Sequence, residues 1–265
     1  MTANEDGNGR IRAELRGEVF LIGIDRPAKL NGFTPEMMRG LAQAYTAFEH
    51  QPAARCAVLH AEGKNFTAGL ALPKIARYLG GSTLLVEEGE IDPFGSRAPF
   101  RSKPVVVAVQ GICFTLGIEL MLAADVVVAA ADTRFSQLEV KRGLMPTGGA
   151  TIRMVQRAGW GNAMRYLLTG AEFDASTALR LGFIQEIVEP GWQFERALAL
   201  AQEIASMAPL AVRAILENSR IAARDGAAAA SAQFGPVQTR LLASEDFQEG
   251  LRSFQDKRVP RFSGR

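Results

Sequence analysis

Histidine, cysteine and tryptophan are scarce in this chain of 265 residues, which contains two of each. The histidines, His50 and His60, lack the spacing of metal ligands, so metal catalysis has little support and we predict no metal site. Cys56 and Cys113 both lie in apolar stretches. We therefore expect two buried free thiols and no disulfide.

Long runs of one residue class are also missing. The most apolar stretch, 105–131, is interrupted by Gln110, Glu119 and Asp125, so no segment has the length and hydropathy of a membrane span. Lys and Arg form no long run, and 30 basic against 28 acidic residues leave a formal net charge of +2. Residues 1–9 are polar and acidic, unlike a signal or transit peptide. We expect a cytoplasmic protein that binds neither membranes nor nucleic acid.

Two motifs of common enzyme classes are absent as well. No Gly-x-Gly-x-x-Gly follows a predicted strand, which disfavours a nicotinamide-dependent dehydrogenase. No Gly-x-Ser-x-Gly occurs, so a serine hydrolase of the α/β type has no support.

The chain does have enough apolar residues to bury a large core, since 48% of its residues are hydrophobic. Strand and helix patterns alternate through the first two thirds, and helical patterns dominate the rest. This order predicts an α/β core over residues 1–195 and a helical appendage over 196–265.

The predicted strands are apolar runs bounded by turn residues, at 11–15, 19–24, 57–61, 104–109 and 126–130. Thr34 followed by Pro35 is a good helix start. Helical periodicity predicts helices at 35–48, 150–158, 162–168, 176–181, 192–207, 211–224 and 245–254. The segment 72–101 is irregular, with Gly80-Gly81 and Asp92-Pro93, which is typical of a mobile loop or lid.

Glu119 stands inside the apolar segment 117–124. Burying an unpaired carboxylate is costly, so a buried Glu119 would have to be paired, neutral or functional. Alternatively, it lies in the first turn of a helix and reaches solvent, where the helix dipole favours it.

Glu139 is a second acidic candidate, shortly before the Gly-rich stretch 143–151. A Gly-rich turn that enters a helix lets the backbone approach a ligand closely. A surface glutamate before a loop is the alternative.

Two small-residue turns, 66–70 and 115–117, could present backbone N–H groups. Such groups stabilise an oxyanion, and the second turn would also lie at a helix N-terminus.

Taken together and in this order, these segments resemble the crotonase (enoyl-CoA hydratase/isomerase) superfamily, over residues 19–262. The segments that carry the resemblance are Asp25-Arg26-Pro27-Ala28-Lys29-Leu30-Asn31, Asn65-Phe66-Thr67-Ala68-Gly69-Leu70, 111–119, 135–151 and 244–258.

The resemblance implies an α/β fold, a spiral of ββα turns followed by a C-terminal helical region that mediates trimer assembly. A homotrimer or homohexamer is expected. The backbone N–H groups of Leu70 and Leu116 would form the oxyanion hole for a thioester carbonyl.

Contacts with coenzyme A are also implied, and because this group is part of the substrate no separate cofactor is expected. The carbonyl of Ala68 would meet the adenine. Arg26 and Lys29 would contact phosphates, and Phe254 and Lys257 would close over the coenzyme A of a neighbouring subunit.

Within the superfamily, Glu119 and Glu139 occupy the positions of the catalytic pair of enoyl-CoA hydratases. The expected function is therefore hydration of a 2-enoyl-CoA. Simple isomerases usually use one carboxylate near Glu139, and dienoyl-CoA isomerases have a further acid where this chain has Thr147. An isomerase, another acyl-CoA enzyme of this fold, or a non-catalytic protein that binds acyl-CoA or RNA are the alternatives.

Two positions depart from the family pattern. Ala71 stands where an aspartate is usual, and Thr115-Leu116-Gly117 replaces three glycines. The bulk of Leu116 is expected to narrow the pocket or to shift the oxyanion-hole backbone. Neither departure changes a glutamate.

Overall fold

The computed structural model describes residues 7–78 and 85–265. Its larger sheet has six strands in the order β1-β2-β3-β4-β6-β9, and a smaller sheet has the order β5-β7-β8. The strands are β1 (Arg10–Arg16), β2 (Val19–Asp25), β3 (Cys56–Ala61), β4 (Val105–Val109), β5 (Ile112–Phe114), β6 (Val126–Ala130), β7 (Arg134–Ser136), β8 (Phe173–Asp174) and β9 (Glu186–Val188).

Helices cover much of the remaining described chain. They are α1 (Pro35–His50), α2 (Leu72–Ile75), α3 (Leu116–Ala123), α4 (Ala150–Ala158), α5 (Trp160–Thr169), α6 (Ala175–Arg180), α7 (Gln193–Ala205), α8 (Pro209–Asp225), α9 (Ala227–Ser231), α10 (Phe234–Leu242) and α11 (Glu245–Asp256). Short 3₁₀ turns occur at Pro27–Lys29, Ala76–Tyr78 and Glu139–Arg142.

The predicted N-terminal hairpin is confirmed: β1 and β2 pair in antiparallel register, while β2, β3, β4, β6 and β9 run parallel. The predicted start of α1 is confirmed too, because the hydroxyl of Thr34 accepts a hydrogen bond from the Met37 N–H at 3.3 Å. Both predicted free cysteines are buried thiols.

The larger sheet is the middle layer of the core. Successive side chains of a strand point to opposite faces, so Phe20 and Ile22 belong to the cluster with α1, whereas Val19 and Leu21 belong to the cluster with α7. Strands covered on both faces are apolar along their whole length, which explains the Val-rich runs of β4 and β6.

The predicted boundary between residues 195 and 196 falls inside α7. This helix buries Ala197, Ala201 and Ala205 against the sheet, so it belongs with the core. Helices α8 to α11 bury few of their own side chains within this chain.

Helix α10 has no counterpart among the predicted helices. Gly235 and Pro236 suggest a turn, but Pro236 lies in the first turn of the helix, where no backbone N–H has an intrahelical partner.

The segment 72–101, predicted as a mobile loop or lid, is partly built into the core. It begins with α2, and Ile91, Phe94 and Arg101 are buried. Gly80-Gly81, on which that prediction rested, lie outside the described residues.

None of the described helices is by itself long and apolar enough to cross a membrane, although α7 and α8, bent by 106° between them, meet that test as a pair.

An ion pair between buried Arg101 and half-buried Asp125 joins the end of the segment 72–101 to the sheet. Arg101 is 8% exposed, and its guanidinium donates two hydrogen bonds to the carboxylate of Asp125, at 2.7 and 3.0 Å. Asp125 also accepts the N–H of Val105 at 2.8 Å. From α8, Arg220 donates to the Arg101 carbonyl. The pair thus fixes the first C-terminal helix to the core.

We expect Asp125→Asn to lower the free energy of unfolding by about 3 kcal/mol or more, because the Arg101 charge would stay buried without its counterion. Urea unfolding at one protein concentration measures the effect. The matched control is Glu172→Gln, which breaks the exposed Arg134–Glu172 pair and should cost less than about 1 kcal/mol. Equal losses for the two variants would contradict this role of the pair.

Candidate active site

A cavity of about 120 Å³ lies where α3, the Gly-rich loop before α4 and two other loops meet. It is lined by Leu70, Phe94, Thr115, Leu116, Glu119, Glu139, Leu144, Met145, Thr147 and Gly148. The structure therefore brings together the four residues predicted to act on the acyl group, which are spread over 70 positions of sequence.

A wider cleft of about 440 Å³ is lined by residues of β1, β2 and β3 and by Phe194 of α7. Its charged side chains pair with one another or with neighbours: Arg12 contacts Asp25 at 2.7 Å and Glu62 at 3.9 Å. Because these charges are already compensated, the smaller cavity has the better arrangement for chemistry.

The carboxylate of Glu119 is held inside the protein. Its side chain is 5% exposed, which rules out the alternative that it reaches solvent. Helix α3 is apolar on all sides and buried, so the carboxylate depends on the backbone of another element: Oε1 accepts the N–H of Gly148 at 2.7 Å and that of Ala150 at 3.3 Å.

Burial raises the pKa of Glu119 to about 7. The charge of nearby Glu139 contributes to this rise, whereas the two backbone N–H groups and the charge of Arg153 oppose it, and about 7 is the net pKa. A carboxylate with a pKa near neutrality is suited to proton transfer.

Glycine at position 148 is required by this close approach. A Cβ there would lie 2.7 Å from Oε2 of Glu119 and 2.8 Å from the Phe94 ring. The Gly-rich turn predicted to approach a ligand thus approaches a carboxylate of the protein itself.

Arg153 is a residue that the sequence analysis missed. From α4, its guanidinium donates to the Gly148 carbonyl at 3.0 Å and to the Phe94 carbonyl at 2.5 Å. It thereby joins two walls of the cavity. An arginine on an amphipathic helix carries no local signal of this role, because both acceptors are backbone atoms of other elements.

Glu139 begins a 3₁₀ turn shortly after β7 and also lines the cavity. It is half-buried, and its Oε2 is enclosed without a hydrogen-bond partner in the described part of the chain. Burial raises its pKa. The environment therefore favours the neutral acid at Glu139, and the alternative of an ordinary surface glutamate is wrong.

Two backbone N–H groups are free to point at a ligand. Leu116 is the first residue of α3, where N–H groups lack intrahelical acceptors, and Leu70 is held beside Phe33 by bonds that leave its own N–H unused. Over 7–78 and 85–265, neither N–H has a backbone or side-chain acceptor. Both residues line the cavity.

Backbone hydrogen bonds hold both of the segments that carry these N–H groups. Phe33 donates to the Gly69 carbonyl and accepts from Ala71, both at 2.8 Å. Thr67 pairs in parallel with Cys113, at the end of β5 that leads into α3. The two donors are thus fixed relative to each other by backbone bonds, which is the preorganisation that an oxyanion hole needs.

Thr115, between β5 and α3, has φ 50° and ψ −114°, in a region that L side chains rarely adopt. Such a conformation costs about 1–3 kcal/mol and persists only when the surroundings impose it. Its side chain lies against Gly69, whose φ is 99° and where a Cβ would overlap the Thr115 hydroxyl. Backbone strain is therefore concentrated beside the two N–H groups.

The five residues predicted to contact coenzyme A do not line this cavity. Arg26 donates from Nε to the Gly7 carbonyl at 2.9 Å and from Nη1 to the Gly32 carbonyl at 2.7 Å, which ties its guanidinium to its own turn. Lys29 and Lys257 are exposed, and Phe254 at the end of α11 is 85% exposed. Ala68 lies two residues before Leu70 and donates to the Leu30 carbonyl.

Comparison with known proteins gives the family. The profile of the enoyl-CoA hydratase/isomerase family matches residues 14–265. The chain belongs to this family. It is 32% identical to the enoyl-CoA hydratase EchA19 of Mycobacterium tuberculosis over 259 residues, covering 95% of this chain and 96% of the relative. It is 30% identical to the 2,3-dehydroadipyl-CoA hydratase of Escherichia coli over 247 residues, with 93% and 96% covered.

A crystal structure of a probable enoyl-CoA hydratase/isomerase from Mycobacterium abscessus matches with a TM-score of 0.93 and 47% identity, over 96% of this chain and 98% of the other. The crotonase fold predicted from the sequence, with its C-terminal helical region, is thereby confirmed, as is the resemblance to this family.

We expect Glu119→Gln to change how stability depends on pH. The pKa of Glu119 is raised from 4.5 to about 7, so the stabilising effect of its protonation is complete below pH 4.5 and is lost as the pH rises through 7. A glutamine keeps an acceptor for the Gly148 N–H and does not ionise. The variant should therefore gain roughly 3 kcal/mol relative to the wild type between acidic and mildly alkaline pH.

Urea unfolding at a series of pH values measures this gain. The control is Glu14→Gln on the exposed strand β1, which should follow the wild-type pH dependence. A Glu119→Gln curve parallel to that of the wild type would show that Glu119 has an ordinary pKa.

Proposed function

We propose that this chain hydrates a 2-enoyl-CoA thioester, adding water across the 2,3 double bond. The observation that carries the proposal is that Glu119 and Glu139 line one cavity together with the two unpaired N–H groups of Leu70 and Leu116. Relatives at about 30% identity are named as hydratases of CoA thioesters, which supports the same reaction class.

The N–H groups of Leu70 and Leu116 would donate to the thioester oxygen and so draw electrons away from the β-carbon. Water then attacks the β-carbon, and Glu119 takes a proton from that water. The electron pair of the double bond moves to the enolate, which the two N–H groups stabilise. Glu139 donates its proton to the α-carbon. The pair is reset when Glu119 releases the proton it took from water and Glu139, directly or through solvent, takes one up.

This mechanism requires that Glu119 be ionised and Glu139 be protonated when the substrate reacts. Two N–H groups stabilise the ionised form of Glu119, while the enclosed Oε2 of Glu139 has no donor and favours the acid. The pKa of Glu119 is nevertheless raised to about 7, chiefly by burial and in part by the charge of Glu139. A pH–rate profile is therefore expected to report the two carboxyl groups together and not either side chain alone.

We also propose that the chain assembles into a homotrimer or homohexamer through its C-terminal region. Helices α8 to α11 leave large apolar side chains exposed on this chain, among them Ile215, Phe234, Leu251 and Phe254. Apolar surface of this extent is typical of an interface between subunits. In such an assembly, Phe254 and Lys257 of one chain would meet the coenzyme A bound by its neighbour.

Glu119→Gln and Glu139→Gln are each expected to lower kcat for crotonyl-CoA hydration by at least about 100-fold, because each removes one proton-transfer step. The loss of enone absorbance measures the rate, and a longer 2-enoyl-CoA should respond in the same way.

The control for this experiment is Glu172→Gln, which is exposed, does not line the cavity and should keep wild-type kinetics. Conversion of a 3-enoyl-CoA to its 2-enoyl isomer without water addition would favour an isomerase. Tight binding of CoA thioesters with no reaction at all would favour a binding protein.

Light scattering in solution is expected to give three or six times the chain mass of 28.6 kDa. A monomeric mass at micromolar concentration would contradict the assembly, and it would also remove the proposed role of Phe254 and Lys257.

A further inference from the structure

Thr115 is unusual in both backbone and side chain. It is a β-branched residue with φ 50° and ψ −114°, where glycine is the residue without a steric penalty. Observed strain of this kind at a site is a reason to look for a function of the side chain.

The hydroxyl of Thr115 lies beside the two donors of the oxyanion hole. One donor is the N–H of the next residue, Leu116. The other belongs to Leu70, which follows Gly69, and the hydroxyl lies against the Cα of Gly69. Covalent geometry therefore puts the hydroxyl oxygen within about 6 Å of both nitrogens, close enough for all three to reach one acceptor.

The same hydroxyl is unpaired. It neither donates nor accepts a hydrogen bond within the described ranges, although Thr115 is only partly exposed and lines the cavity. The hydroxyl of Thr67, two residues before Gly69, is used by contrast: it donates to the Asn31 carbonyl at 2.7 Å and accepts the Gly69 N–H at 3.0 Å. A hydroxyl that faces a cavity without a partner is available to a ligand.

We propose that the Thr115 hydroxyl is a third donor of the oxyanion hole, which hydrogen-bonds the thioester oxygen beside the N–H groups of Leu70 and Leu116. This inference rests on the proposed function in that it assumes a CoA thioester in the cavity. No bond to Thr115 is made or broken: the hydroxyl keeps its proton and stabilises charge that develops on the substrate oxygen. The strained backbone would then be the means by which the side chain is aimed at that oxygen.

Three variants separate the hydroxyl from the bulk of the side chain. Thr115→Val keeps the shape and removes the donor, Thr115→Ser keeps the donor and removes a methyl group, and Thr115→Gly removes both. Thr239→Val, on exposed α10, loses only a hydrogen bond to the Gly235 carbonyl of its own helix and serves as the control.

With crotonyl-CoA we expect Thr115→Val and Thr115→Gly to lose about 10- to 100-fold in kcat with less than about threefold change in KM, because the lost bond is strongest to the enolate. Thr115→Ser should recover most of the rate lost in Thr115→Val. Equal rates for the wild type and Thr115→Val would overturn the proposal, provided that circular dichroism shows both proteins to be folded.

A second measurement does not depend on turnover. Butyryl-CoA labelled with ¹³C at the carbonyl is saturated and cannot be hydrated, and infrared difference spectra report its C=O stretch when bound. Polarisation by the hole lowers that frequency, and the lowering should shrink in Thr115→Val and persist in Thr115→Ser.

The two measurements distinguish the failure of this inference from the failure of the proposed function. If the protein hydrates no 2-enoyl-CoA but the shift of the carbonyl frequency still depends on the Thr115 hydroxyl, the third donor is supported and the proposed hydratase function is refuted. If the wild type hydrates crotonyl-CoA but Thr115→Val leaves the shift of the carbonyl frequency unchanged, the third donor alone is refuted. If butyryl-CoA does not bind to the wild type, both are wrong.

Discussion

The need to satisfy one buried carboxylate governs the architecture of the cavity. Glu119 lies on a helix that has no other polar side chain. Without hydrogen-bond donors, ionising a carboxylate at this buried position would cost several kcal/mol, and its pKa would rise accordingly. The Gly-rich loop must therefore come close enough for Gly148 and Ala150 to donate to it. That contact in turn needs glycine at 148, and Arg153 to hold the loop's carbonyl.

The backbone supplies the other polar groups that matter in the proposed reaction. The two N–H groups without an acceptor in the described chain belong to Leu70 and Leu116, which line the cavity and whose apolar side chains give no indication of an oxyanion hole. Their positions come from parallel bridges of one loop to Phe33 and of the other strand end to Thr67. Because backbone donors are fixed by such bonds, they need no reorganisation when charge develops on a ligand, which is why the departures at Thr115 and Leu116 leave the arrangement possible.

The core and the C-terminal helices differ in how far their apolar side chains are buried. In the core, the sheet is covered on one face by α1 and on the other by α7, and its side chains are nearly all enclosed. Helices α8 to α11 are connected to it through few contacts, including the bond from Arg220 to the buried Arg101–Asp125 pair, and leave apolar side chains exposed. The core buries its apolar side chains within one chain, whereas the exposed apolar side chains of α8 to α11 are typical of a surface that a partner covers.

The sequence by itself determined most of the larger sheet and the family. Apolar runs identify β2, β3, β4 and β6, the Thr34 cap identifies the start of α1, and the spaced motifs from Asp25 to Phe254 identify the superfamily, because each of these signals is local or ordered along the chain. It also identified Glu119 as a candidate, because a carboxylate inside an apolar segment conflicts with burial, and Glu139, because it precedes a Gly-rich stretch. Only the tertiary structure decided what surrounds them. The partner of Glu119 is the backbone of Gly148, Arg153 acts on two carbonyls of distant loops, and the Arg26 guanidinium is bound to its own turn. Backbone hydrogen bonds between elements depend on how the chain folds and not on which side chains are present, so no sequence pattern predicts them.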